Sequence, residues 1–466
     1  MAADGTLLFE DRAYTRPELS ALAAGLAAEL AAGGVRAGDR VALMSGNRPE
    51  FVIAVLAVWR LRAAVVLLSP AWKAGEVAHA LAITEPAHAV GDNGELAARL
   101  PMRHLDEPIT PAEPVDAAPD PDADAVLVFS SGTTGLPKAV RHTHGSLAVA
   151  VRQWIEVLGL TAADRLQIAT PPSHILGLLN ILTVLEAGAS MRLHRRFDLD
   201  TVLGTIATER ITVEMAVAPI ALALAAHPEL ERYDLSSLRY IMWGATPVTT
   251  EVAERVTART GVPWLPAYGA SELPVIACNP LTGARLDTVG RAAPGVEIRV
   301  AELGSGAPLP PGELGEIQCR AASVMAGYLP DSETASAFAD GWYRTGDVGW
   351  VDADGWIRLT DRAKEMIKVR GFQVAPAEIE AVLHGHPQVH DCAVFGTPDE
   401  RDGEAVVAAV HADGVTADEL IALVGTHLAG YKRPRRVVFV PEIPRLPSGK
   451  VLRRVLEERY GRPTDQ

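Results

Sequence analysis

Leu19, Leu22, Leu26 and Leu30 recur at the three- and four-residue steps of one helix face, and the pattern stops at Gly33 and Gly34. Thr15 and Glu18 stand as a T-x-x-E capping box with Pro17 between them, which marks the start of that helix. An apolar stretch at Arg40–Met44, a helical pattern over Pro49–Trp59 and an apolar run at Ala63–Leu68 follow, an order that predicts β-α-β and a largely parallel sheet. Another apolar strand, Ala125–Phe129, comes after the acidic segment Asp106–Asp124, whose Pro108, Pro111, Pro114, Pro119 and Pro121 predict an unpacked surface connector. A second break falls at Asp361 and Arg362, where the apolar strand Trp356–Leu359 gives way to the basic segment Lys364–Arg370. The expected domains are therefore residues 1–361 and 362–466.

Composition narrows the class. With 48% hydrophobic and 22% charged residues, the 466-residue chain reads as a soluble, folded protein with a large core. Its net charge of −15 repels phosphate backbones and anionic membrane surfaces, so nucleic acid is not an expected partner. From Arg362 onward the chain holds 15 basic and 15 acidic residues, so the first 361 carry the whole deficit and the neutral tail can meet a polyanion. Cys278, Cys319 and Cys392 are too few and too scattered for a disulfide framework or zinc site, and His384, His386 and His390 read as structural. No apolar run is long enough to span a membrane, and no signal peptide is recognisable, which makes the cytoplasm the expected location.

Directly after Ala125–Phe129 stands SSGTTGLPK, Ser130 to Lys138. Its glycines allow backbone N–H groups to approach phosphate oxygens, its hydroxyls add donors, and its lysine adds a point charge. The spacing is not that of a Walker A loop, and a flexible hairpin turn is the plainer alternative.

This loop resembles the phosphate loop of the adenylate-forming superfamily, and six more motifs follow in that superfamily's order. They are PPSHILG (Pro171 to Gly177), WGATP (Trp243 to Pro247), YGASE (Tyr268 to Glu272), GWYRTGD (Gly341 to Asp347), DRAKEMIKVRGFQV (Asp361 to Val374) and PRLPSGK (Pro444 to Lys450). The resemblance is to the acyl- and aryl-CoA synthetase branch. It implies an α/β protein with a large N-terminal domain of mixed sheets and a small, mobile α+β C-terminal domain.

It also implies roles. Ser131, Gly132, Thr133, Thr134, Gly135 and Lys138 would hold the β- and γ-phosphates of ATP, Ser271 the α-phosphate, and Glu272 the magnesium ion. Tyr268 would stack on adenine opposite Gly244, Ala245 and Thr246, while Asp347 and Arg362 would take the ribose hydroxyls. Lys450 matches the lysine that bridges carboxylate and α-phosphate during adenylation, and Lys364 matches the hinge about which the small domain turns. Arg370 and Gly371 would line the pantetheine channel of CoA, with Lys432, Arg433, Arg435 and Arg436 either meeting its phosphates or forming a solvated basic surface. His174 matches a histidine at the mouth of the acyl pocket.

Two departures from the family's pattern bear on the substrate. Trp243 replaces a small residue, so its indole either fills part of the acyl tunnel or belongs to the core. Leu273 runs directly into Pro274, one residue shorter than in plant coumarate ligases, which reshapes the pocket wall. Placed in the pocket, these residues predict a compact acid. The leading expectation is an AMP-forming ligase making a CoA thioester of a small or aromatic carboxylic acid. An adenylating enzyme whose intermediate passes to a carrier protein or an amine, including a nitrite-activating type, is the alternative, and a nucleotide-binding module without catalysis the remote one. The acid and the oligomeric state are not legible.

Overall fold

The computed structural model describes residues 6–114, 119–130, 137–244, 250–362, 365–369, 372–399, 401, 403–445 and 451–461. Helix α1 (Arg16–Ala32) begins at Thr15, whose hydroxyl accepts from the Glu18 N–H while the Glu18 carboxylate accepts from the Thr15 N–H. Its Leu19, Leu26 and Leu30 are buried. Strand β1 (Arg40–Met44), helix α2 (Pro49–Arg60) and strand β2 (Ala64–Leu68) form the β-α-β unit, with β1 and β2 parallel throughout. Every residue of β2 is buried, as an interior parallel strand covered on both faces requires.

Strand β3 (Asp124–Ser130) lies parallel to β2, and the chain then reverses into β4 (Lys138–Thr143), which sets Lys138 opposite Ser130. A second, nine-stranded sheet contains β5 (Arg165–Ile168), β6 (Val213–Ala216), β7 (Tyr240–Trp243) and β8 (Trp264–Tyr268) as parallel neighbours, with helix α3 (Ile175–Ala187) between β5 and β6 in sequence. The chain later returns to the first sheet, where β9 (Gly327–Leu329) pairs antiparallel with β4 and becomes the outer of seven strands. Strands β10 (Trp342–Val351) and β11 (Ile357–Arg362) pair in a third sheet.

The next sheet starts at Ile367 and has its own core around Val374, Ile379, Val394 and Val410. There helix α4 (Pro376–His384) packs on β12 (Val389–Asp399), which pairs antiparallel with β13 (Gly403–Ala412). The protein is thus a large N-terminal α/β unit with several mixed sheets followed by a small α+β unit. Among the described residues no helix is long and apolar enough to cross a membrane.

One expectation is refined and one is corrected. The proline-rich connector runs exposed over the surface, as expected, but it is anchored at one stretch: the Ala112 N–H donates to the Ala21 carbonyl at 3.0 Å, and Ile109 lies against the main core. Gly25 of α1 makes this possible, because a Cβ there would sit 1.8 Å from the Thr110 carbonyl oxygen.

The correction concerns Trp243 as a pocket residue. Side chains alternate across β7, so Tyr240 and Met242 join the principal core while Ile241 and Trp243 face a separate cluster. There the indole of Trp243 is 1% exposed and lies 5.1 Å, centroid to centroid, from Trp264. Leu273 is likewise fully enclosed in the principal core. The compact-acid argument therefore loses Trp243 as a wall.

Candidate active site

The loop after β8 is shaped by a close approach. A Cβ on Gly269 would fall 2.1 Å from the Pro274 carbonyl oxygen, so glycine alone fits the turn in which the Ala270 N–H donates to the Leu273 carbonyl. That turn presents Ser271 and Glu272. From β4, His142 Nε2 lies 2.7 Å from the Ser271 carbonyl oxygen, and on the other side the Met325 N–H donates to the Glu272 carbonyl at 2.8 Å. Burial pushes the His142 imidazole below its ordinary range, so it is neutral with its proton on Nε2, the only tautomer that can donate to a carbonyl.

The Glu272 carboxylate is buried, and the Tyr328 hydroxyl donates to its Oε1 at 2.8 Å. Its other oxygen has no hydrogen-bond partner among the described residues. Asp347, also buried, accepts from the Tyr268 hydroxyl, and its own N–H donates to Thr345 Oγ1 at 3.0 Å. The Tyr343 phenol feels both charges: its pKa is pushed well up, first by burial and then by the charge of Glu272. Tyr328, Tyr268 and Asp347 add to that rise. Three phenols and two carboxylates from the β8 loop, β9 and β10 therefore share one buried region. Because a carboxylate with an open oxygen is the donor that a hard cation takes, Glu272 fits the magnesium role the resemblance implies.

Other candidates converge on it through the backbone. Arg362 stands directly opposite Asp347 in the β10–β11 ladder, which brings the two ribose candidates together. Lys138, at the exit of the phosphate loop, lies 5.2 Å above the Tyr328 ring, and its ammonium pairs with Glu333. Its charge thus already has a partner on the chain. Gly244 ends β7, its N–H donating to the Ala216 carbonyl.

His174 is the N-cap residue of α3, where Gly177 lets the Pro171 carbonyl come within 2.3 Å of a Cβ position. Burial alone lowers the His174 pKa, and the ring has no hydrogen-bond partner among the described residues. In the small unit, Lys432 pairs with Glu378 and Arg435 with Asp399.

Ser131, Gly132, Thr133, Thr134, Gly135, Ala245, Thr246, Lys364, Arg370, Gly371 and Lys450 lie outside the described residues, and Arg362 is described through its backbone only. Sequence reasoning missed His142 and Tyr328. A histidine within a strand and a tyrosine after a glycine carry no signal of their own, and only the pairing of β9 with β4 brings Tyr328 beside Glu272. A polar cleft of about 460 Å³ lined by Asp39, Arg40, Asp124 and Arg141 opens at the N-terminal ends of β1 to β3 and holds none of these residues.

Comparison with known proteins agrees with this geometry. The AMP-binding enzyme family matches residues 2–329, and the AMP-binding enzyme C-terminal domain matches residues 378–450. A feruloyl-CoA synthase from an Amycolatopsis species is 36% identical over 468 residues, covering 96% of this chain and 94% of that protein. ATP-bound MatB from Rhodopseudomonas palustris superposes with a TM-score of 0.92 at 29% identity, covering 99% of this chain and 97% of that one. The amide bond synthetase McbA from Marinactinospora thermotolerans superposes with a TM-score of 0.90 at 32% identity, covering 98% and 97%. Matched in both modules and along nearly its whole length, the chain belongs to the AMP-binding, adenylate-forming enzyme family, in its acyl-CoA ligase branch.

Proposed function

We propose that this protein is an AMP-forming ligase that joins a small or aromatic carboxylic acid to CoA. In the first step a carboxylate oxygen attacks the α-phosphorus of ATP and the bond to pyrophosphate breaks. In the second the thiol sulfur, having lost its proton, attacks the acyl carbon and AMP leaves. The observation that carries this reading is that Glu272 and Asp347 are both buried and each accepts a hydrogen bond from a tyrosine hydroxyl, in a chain 36% identical along nearly its full length to a feruloyl-CoA synthase.

In this reading Asp347 and Arg362 hold the ribose, and the Tyr268 ring covers adenine. Ser271, whose loop is pinned by His142, donates to the α-phosphate. Magnesium on Glu272 supplies charge neutralisation for the phosphates. Lys450 brings a compact cation to the two anions as they approach, and a small unit spanning residues 362–466, hinged at Lys364, exchanges that lysine for the CoA channel at Arg370 and Gly371. His174, neutral and without a hydrogen-bond partner among the described residues, is suited to moving between the half-reactions. All three cysteines are buried free thiols, in keeping with the reducing cytoplasm.

A second reading has a specific observation behind it. The amide bond synthetase superposes over 98% of the chain at 32% identity, so capture of the acyl-adenylate by an amine uses the same scaffold. Pyrophosphate release should be measured across a panel of benzoates, cinnamates and short aliphatic acids, with CoA, with amines, and with neither. The CoA reading requires a thioester product and faster turnover with CoA. Turnover that responds to amines and ignores CoA would replace it with the second reading.

A further inference from the structure

Motif spacing does not single out Tyr328, yet its side chain touches two residues that motifs do. The hydroxyl donates to Glu272 Oε1 at 2.8 Å, and the ring face carries the Lys138 ammonium 5.2 Å from its centroid. The backbone around it is held on both sides. Tyr328 stands opposite Val140 in the β9–β4 ladder, and its N–H donates to Thr334 Oγ1 at 2.9 Å. Lys138 is steered onto the ring by Glu333, five residues downstream in a helical turn that begins directly after β9. A carboxylate oxygen offers only lone pairs, so at 2.8 Å the phenol hydroxyl is the donor of this bond.

A glutamate that serves a cation must hold one oxygen toward it, and a long side chain left to itself spreads over several rotamers. A donor fixed on Oε1 removes that freedom and leaves Oε2 as the ligand.

We propose that Tyr328 is a positioning residue for the cation site, its hydroxyl orienting Glu272 and its ring seating Lys138, so that the magnesium carboxylate and the end of the phosphate loop are set by one side chain. The proposal rests on Glu272 being the magnesium ligand. No covalent step is involved, and the coupling is geometric.

The test is a binding measurement without acid or CoA. A fluorescent ATP analogue is held at fixed concentration while Mg²⁺ is titrated into the parent, Tyr328→Phe, Tyr328→Leu and Glu272→Gln, and anisotropy is read. Tyr328→Phe keeps the ring and should raise the Mg²⁺ concentration at half-saturation by about tenfold, the order expected for one hydrogen bond to a charged group, with metal-free binding unchanged. Tyr328→Leu also removes the seat of Lys138 and should weaken metal-free binding as well. If Tyr328→Phe titrates like the parent while Glu272→Gln is shifted, the proposal is overturned and the magnesium reading of Glu272 stands. If both titrate like the parent, both are overturned. Equal loss of binding with and without Mg²⁺ in Tyr328→Phe would mark the phenol as a fold contact and also overturn the proposal.

Discussion

The hydroxyl of Tyr268 donates to the carboxylate of Asp347, 79 residues further along the chain, and ties the end of β8 to the middle of β10. Burial and the charge of Asp347 raise the phenol pKa well above its ordinary value, so the bond persists across the physiological range. Tyr268→Phe leaves a buried carboxylate short of one donor and should cost about 1–3 kcal/mol of stability. The ring face for adenine remains, so the KM for ATP should change far less than in Asp347→Ala. Urea unfolding and initial rates give the two numbers. A Tyr268→Phe protein as stable as the parent would show that the bond contributes nothing.

Glu214, on β6, is a fully buried carboxyl group. Burial pushes its pKa up to about 8, against which the hydrogen bond from Gln167 Nε2 at 2.5 Å pulls only partly. A group that binds its proton more tightly when folded makes stability fall as pH rises from the unfolded pKa to the folded one. The window is therefore from about 4.5 to about 8. Glu214→Gln keeps a neutral amide in place and should become more stable than the parent by a few kcal/mol as pH climbs through that window, at ~1.4 kcal/mol for each pH unit crossed. Denaturant midpoints at pH 5 and pH 8.5 test it, and a difference between the two proteins that does not change with pH would refute it.

Lys450→Ala should slow adenylation by on the order of 10² to 10³, the loss seen when one transition-state donor is deleted. Thioester formation from supplied acyl-adenylate should continue. Equal loss in both half-reactions, measured separately, would remove Lys450 from the first step.

Trp243 gives the opposite kind of prediction. Packed against Trp264 in a closed cluster, it should cost about 3–5 kcal/mol when truncated to alanine. The chain length of accepted acids should not change. An enzyme that gains activity on long acids after Trp243→Ala would put the indole back in the tunnel.

Much of the scaffold was legible in the chain. The capping box at Thr15 and Glu18, the strands at Arg40–Met44 and Ala64–Leu68 and the helix between them carry their own local signals, and the structure places them within a residue or two of the predicted bounds. The motifs likewise pointed to Tyr268, Glu272 and Asp347, which share one buried region. What was not legible depends on direction and distance. Trp243 and Met242 are neighbours in sequence but face opposite sides of β7, and only the strand's register decides which of them meets which core. The Asp106–Asp124 connector reads as unpackable from its prolines, and the signal that the stretch around Thr110 is nevertheless anchored lies far away, in the missing side chain of Gly25. His142 and Tyr328 escape for the same reason, each acting across more than fifty residues of chain.

The pairing of β9 with β4 also dictates an order of events at the ribosome. Ala139 faces Leu329, a partner made about 190 residues later, which at ~5–20 residues per second is a wait of roughly 10 to 40 s. Throughout that interval the edge of β4, with its row of open backbone donors and acceptors, has no strand beside it and is available to another nascent chain. Arg141 has a partner from the start, the Asp124 carboxylate on β3, whereas the ion pair of Lys138 with Glu333, just beyond β9, forms only once β9 is in place.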